Sequence, residues 1–132
     1  MTGLEVHAHM NIRPGLLDAF QKQASELIRL TKEKDSRTLR YDWFISRDGT
    51  ECEVHEAYVS SDGLLEHNDN IRSARDQLFA QFAVDHFMTI YGDVSQELAD
   101  LLDRMQEAGH MRFTLFSFAQ GLESSEPFVT PA

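Results

Sequence analysis

Between Tyr41 and Asn70 the chain reads YDWFISRDGTECEVHEAYVSSDGLLEHNDN, a run holding the residues best suited to chemistry: His67, Glu56, Tyr41, Trp43 and Tyr58. An imidazole at the mouth of an aromatic pocket can accept a proton from an acidic hydroxyl, and His67 is the first candidate for that role; tethering a helix by hydrogen bonding is the alternative. Glu56 falls in the middle of a strand-like run, where a carboxylate is costly to bury alone. It is expected to pair with Arg40, Arg112 or a histidine, either for structure or to orient a catalytic imidazole. Tyr41, Trp43 and Tyr58 can stack on a flat aromatic molecule, although aromatics at strand spacing serve equally as core.

A second cluster lies near the N-terminus. His7, His9 and Asn11 share one side of an alternating run, and His9 and Asn11 can donate hydrogen bonds to a substrate oxygen or a developing oxyanion. With His55 the i, i+2 spacing would allow two metal ligands, but no carboxylate converges on them, so no metal is expected. His86 and His110 sit at the ends of elements and read as solvent-facing. Cys52, the one cysteine, excludes an intrachain disulfide and reads as a small, partly buried strand residue.

Period and punctuation supply the elements that position these groups. Leu4–Ile12 alternates apolar with polar, as a half-buried strand does. Arg13-Pro14-Gly15 ends it, with Pro14 suited to the first helical position, and apolar residues at 17, 20, 24, 27, 28 and 31 predict an amphipathic helix through Lys34. Lys32–Arg37 reads as a polar connection. Strands from Thr38 and from Glu51 to Val59, joined at Asp48-Gly49, form a hairpin with Leu39, Tyr41, Trp43 and Ile45 on one face, and Cys52, Val54, Glu56 and Tyr58 on one face. Ser60, Ser61 and Asp62 offer caps for a helix carrying Leu64, Leu65, Asn68 and Ile71, and Ser73–Phe82 reads as a further helical segment. A strand at His86–Tyr91 follows, then a helix opened by an Asp93/Gln96 capping box and stopped at Gly109, then a strand at Arg112–Ala119. Residues 121–132 read as a loosely ordered tail after a single domain spanning 1–120.

The order β-α-β-β-α-β-α-β is α+β. Its first six elements form the ferredoxin-like split βαβ pattern, an antiparallel sheet with helices on one face, and a helix and a strand are added at the C-terminus. The opposite face, rich in aromatics, is left uncovered, which predicts a homodimer.

Composition narrows the partners. Acidic residues outnumber basic ones 22 to 12, a net charge of −10, which disfavours attachment to nucleic acid or an anionic membrane and leaves a small molecule or a protein. No apolar run is long enough to span a bilayer, and MTGLEVHAHM lacks the features of a secretory signal, so a cytoplasmic location is expected. Absence of a Gly-x-Gly-x-x-Gly, a P-loop, a Gly-x-Ser-x-Gly elbow or a Cys-x-x-Cys leaves nucleotide, flavin or any other cofactor without sequence support.

From Leu4 to Phe82 the chain resembles the antibiotic-biosynthesis monooxygenase group of the dimeric α/β-barrel superfamily. The resemblance rests on Arg13-Pro14-Gly15, on Tyr41 at the hairpin strand, and on Glu56-Ala57-Tyr58-x-Ser60 followed by His67. It implies two sheets meeting across a dimer axis, with a pocket in each subunit between the inner sheet face and the helices. It also implies cofactor-independent oxygenation of a quinol or planar phenol, with His67 as base, or simple ligand binding without turnover. Tyr58 stands where the haem-degrading branch carries Trp, which weakens a haem reading. Ser95–Ala119 extends beyond the usual end of the group, as a cover for the pocket or a change in dimer packing.

Overall fold

The computed structural model describes residues 3–122, so most of the expected tail, from residue 123 on, lies outside the described residues. Strand β1 (Leu4–Ile12) buries every second residue, as its alternation requires. Helix α1 (Leu17–Lys34) follows a turn at Pro14-Gly15, so Pro14 precedes the helix rather than opening it; Phe20, Ala24, Leu27 and Thr31 face the core. β2 (Thr38–Ile45) and β3 (Glu51–Tyr58) form the hairpin, with Gly49 at φ 76° where a Cβ would be strained. Ser46, Asp48 and Thr50 hydrogen-bond across the turn.

Helix α2 (Ser61–Gln81) is one unbroken 21-residue helix rather than two segments. An added Cβ on Gly63, in its first turn, would stand 3.0 Å from the Arg37 carbonyl and 3.1 Å from Tyr58 Cβ, so glycine lets the helix start hard against the end of β3 and the approach to β2. Strand β4 (Ala83–Tyr91) begins three residues earlier than the alternation suggested. Helix α3 (Gln96–Glu107) is capped by Ser95, whose Oγ accepts from Leu98 N at 3.1 Å, so the cap falls two residues after Asp93. Strand β5 (Arg112–Phe116) is shorter than the run of phenylalanines suggested.

The strands form one open sheet in the order β2-β3-β1-β4-β5, antiparallel except for the β4–β5 pair. The first four strands have the split βαβ arrangement, and α3 with β5 adds the parallel edge. Leu4, Val6, Ala8 and Met10 pair across β3 with Tyr58, Glu56, Val54 and Cys52, and Glu56 and Val54 pair in turn with Tyr41 and Trp43. These residues form the inner face, under the three helices. Leu39, expected with them, is displaced by a register shift next to Thr38 and is half exposed.

A second irregularity matters more. Between His9 and Asn11 the β1–β4 register slips, and Asp85 sits at φ 59°, held by Asn11 Nδ2 at 3.1 Å. An extra residue in one strand reverses which face the following side chains occupy. Ala83 therefore points inward before the bulge, and His86, Met88 and Ile90 point inward after it. The placement of His86 as a solvent-facing end residue is corrected by this bulge, which strict alternation cannot reveal.

Candidate active site

Between the inner sheet face and helices α2 and α3 lies a narrow cleft with about 60 Å³ of room for the centres of water molecules. Its walls are apolar, from Ala8, Met10, Val54 and Met88 below to Leu98, Leu101, Leu102 and Met105 above. The C-terminal helix thus roofs the cleft. Ser61 Oγ accepts from Ser95 N at 2.9 Å, tying the start of α3 to the start of α2.

His67, on the second turn of α2, is 3 % exposed, and its Nδ1–H donates to Asp35 Oδ2 at 2.8 Å. The Asp35 side chain is itself 2 % exposed and also accepts from Thr38 Oγ1 at 2.6 Å and Asn70 Nδ2 at 2.7 Å. Burial alone would raise the Asp35 carboxyl, but hydrogen bonds from His67, Asn70 and Thr38 outweigh it and hold it below the usual carboxylate range. An anion so placed fixes the imidazole proton on Nδ1 and leaves Nε2, on the opposite edge of the ring, as the basic atom. No hydrogen bond to Nε2 is present among the described residues. Tyr41 presents its ring to the imidazole edge-on at 4.6 Å.

Glu56 lines the same cleft and is 5 % exposed. Of the expected partners neither Arg40 nor Arg112 bonds to it; the charge of His67, a histidine, acts on it, and its hydrogen-bond partner is Tyr58, whose hydroxyl donates to Oε1 at 2.5 Å. Desolvation pushes the Glu56 carboxyl up, partly offset by the His67 charge and the Tyr58 hydrogen bond. Two carboxyls near one imidazole are therefore driven apart, Asp35 towards the anion and Glu56 towards the acid. Such a division assigns opposite proton roles to chemically similar groups. Burial and the Glu56 charge raise both tyrosine hydroxyls well above their ordinary range, so both stay protonated.

Of the residues singled out by sequence, the fold brings His67, Glu56, Tyr41 and Trp43 to the cleft. Tyr58 is fully buried beneath Glu56 and holds it rather than lining the wall. His9 and Asn11 stand on the other face of the sheet, His9 paired with Glu51 at 2.7 Å. They cannot reach the cleft. Three residues were missed: Asp35, read as part of a polar connection; His86, hidden by the bulge; and Arg75, which helical spacing from His67 through Ile71 would have placed on the cleft face had α2 been read as continuous. The Trp43 indole N–H is buried without an acceptor among the described residues, an orphaned donor in a wall residue. Cys52 is buried and its thiol is pushed up to about 12 by desolvation, as an inert strand residue should be. Among the described residues no three His, Cys, Asp or Glu side chains group as metal ligands, and no helix is long and apolar enough to cross a membrane.

No family model and no curated protein matches the chain. Solved structures share its fold. MupZ from Pseudomonas fluorescens is 22% identical over 94% of this chain and 96% of its own, with a TM-score of 0.72. A "putative antibiotic biosynthesis monooxygenase" from Caulobacter crescentus CB15 is 22% identical over 71% of this chain and 92% of its own, with a TM-score of 0.63. Another so named, from Nitrosomonas europaea, is 17% identical over 72% and 93%, with a TM-score of 0.62. The fold implied by the sequence resemblance is thus the fold found. The match with MupZ is too long to omit both α3 and β5, whereas the other two leave out about as much of the chain as lies from α3 onward.

Proposed function

We propose that the chain is a cofactor-independent monooxygenase for a quinol or planar phenolic compound, acting as a homodimer through the uncovered sheet face. The observation that carries this reading is the buried Asp35–His67 pair beside an apolar, aromatic-walled cleft. Nε2 of His67 takes the hydroxyl proton, and the Asp35 anion stabilises the imidazolium that results. The electron-rich ring anion then reacts with dioxygen: one oxygen atom stays on the ring carbon, a C–H bond is lost, and the other oxygen leaves as water. A phenol and dioxygen give a quinone and water with atoms and electrons balanced, so no external reductant enters. In this reading Glu56, held towards its protonated form, returns a proton to the departing oxygen.

Oxygen uptake with a panel of quinols and naphthols tests the proposal. His67→Ala is expected to lower turnover by at least about 100-fold, the usual scale of general-base catalysis. No uptake with any compound, or uptake indifferent to the substitution, removes the catalytic claim. A non-catalytic binding dimer is favoured by one feature, the narrowness of the cleft. Mass spectrometry showing a tightly held, unaltered metabolite in the purified protein would support it.

A further inference from the structure

His67 is one end of a longer stripe. Leu64, His67, Asn68, Ile71, Arg75, Leu78 and Phe79 follow one another at helical spacing along α2, and all line the cleft. Eight positions separate His67 from Arg75, which at 1.5 Å per residue puts them about 12 Å apart along the helix axis. That is the separation of their backbones: the Arg75 guanidinium reaches back along the helix to Asn68 Oδ1, over Ile71, with apolar walls facing it. One wall of the cleft therefore carries both a proton-transfer group and a cationic group, rooted about 12 Å apart along α2.

Among the described residues the cationic group has only a weak counter-charge. The Arg75 side chain is 17 % exposed, and its guanidinium donates to Asn68 Oδ1, a neutral amide. Among the described residues its single carboxylate contact is Asp76 at 3.4 Å, the neighbouring residue, 66 % exposed. A largely buried guanidinium whose carboxylate partner is long, solvent-screened and on the neighbouring residue is only weakly compensated, which leaves room for a ligand anion to supply charge. Beside it His86 lies stacked on Phe79 at 4.4 Å between ring centroids. Burial and the Arg75 charge depress the imidazole to about 3, so His86 is neutral at ordinary pH and adds a hydrogen-bonding ring without a second positive charge. Guanidinium, amide and neutral imidazole around one end of an apolar cleft are the groups that recognise a carboxylate.

We propose that Arg75, with Asn68 and His86, is an anion-recognition subsite, and that the natural ligand is an aromatic carboxylate that also bears an ionisable hydroxyl, directed to His67. The role given to the hydroxyl rests on the oxygenase reading; recognition of the carboxylate does not. The Met10, Met88 and Met105 walls suit such a guest, because unbranched thioether side chains change rotamer cheaply and let a narrow cleft widen.

The test is binding, not turnover. The protein is titrated calorimetrically under argon with 6-hydroxy-2-naphthoate and with its neutral primary amide. The acid should bind about tenfold tighter or more, as for a charge-assisted pair in place of a neutral one. Arg75→Gln should abolish the preference, Arg75→Lys should keep part of it, and His67→Ala should leave it intact. Equal affinity for acid and amide, no saturable binding of either, or an Arg75→Gln protein that retains the preference overturns the proposal. Should Arg75→Gln fail to fold, the preference of the parent protein between the two compounds decides alone. An intact preference with no oxygen uptake would sink the oxygenase reading and leave the subsite standing.

Discussion

The two faces of the sheet carry similar residues to opposite ends. On the outer face Phe44, His55, His7, Tyr91 and Phe116 form a ladder across all five strands, with ring centroids 4.8, 4.2, 5.2 and 5.7 Å apart in turn. Its histidines pair with glutamates that water reaches: His7 with Glu5 at 3.0 Å, His55 with Glu53 at 3.1 Å. On the inner side a single histidine meets a single aspartate, both shut away from water, with two further donors fixing the carboxylate. Imidazole next to carboxylate is common to both. What separates them is desolvation, which turns a solvent-screened pair of little energy into one that dictates where a proton resides.

The largest effect should come from breaking the inner pair. Asp35→Ala leaves His67, Thr38 and Asn70 without their acceptor and is expected to cost about 3–5 kcal/mol in urea unfolding, the range for removing one partner of a buried pair. Glu53→Ala on the outer face removes a pair in contact with solvent and should cost less than about 1 kcal/mol. Similar losses for the two variants would erase the distinction between the faces.

Acid should expose the same difference at a second histidine. Folded His86 titrates at about 3 against 6.5 when unperturbed. Between those values the unfolded chain binds a proton that the folded chain does not, so stability falls as pH falls through that window. The slope is at most about 1.4 kcal/mol per pH unit, reduced by the water His86 still meets. Below 3.8 Asp35 adds a loss of the same sign as its lowered carboxylate becomes protonated, whereas Glu56, raised above 4.5, opposes the His86 loss as pH falls towards 4.5. Because Glu56 acts against His86 in the same window, the readout is the difference from the parent: between pH 6.5 and 4.5 the thermal midpoint of His86→Phe should fall less, or rise more, than that of the parent, and the change should exceed that made by His55→Phe. A slope altered equally by both would show that the bulge does not set the two imidazoles apart.

What the sequence could not show is of one physical kind. Alternation is local: it puts Leu4, Val6, Ala8 and Met10 on one face of β1, Tyr41 with Trp43 in β2 and Glu56 with Tyr58 in β3, but does not say which face of the sheet lines the cleft. The partner of His67 is 32 positions away, in a loop whose composition resembles any polar connection. The face of His86 depends on one bulged residue, and that residue, Asp85, is an ordinary surface type. His9 and Asn11 have donors suited to an oxyanion, but parity within β1 puts them on the face without helices. Side-chain chemistry was legible; the tertiary partner and the count of residues across a bulge were not.

The smallest effect on the fold, and the cleanest separation of the faces, should come from Phe44→Glu. Phe44 is 47 % exposed, and with Val84 and Phe116 it makes the outer face more apolar than solvent alone would favour. Replacing an exposed side chain should change monomer stability by no more than about 0.5 kcal/mol. In a dimer packed sheet to sheet, however, the substitution sets an unpaired carboxylate into each half of the interface, and both subunits already carry net charge −10. Sedimentation equilibrium should show the parent as a dimer and Phe44→Glu shifted to monomer, with binding of 6-hydroxy-2-naphthoate retained. A parent that sediments as a monomer would leave the ladder as a solvated surface, whereas a variant that loses the ligand along with the dimer would mean that the outer face supports the cleft and that the two faces do not act separately.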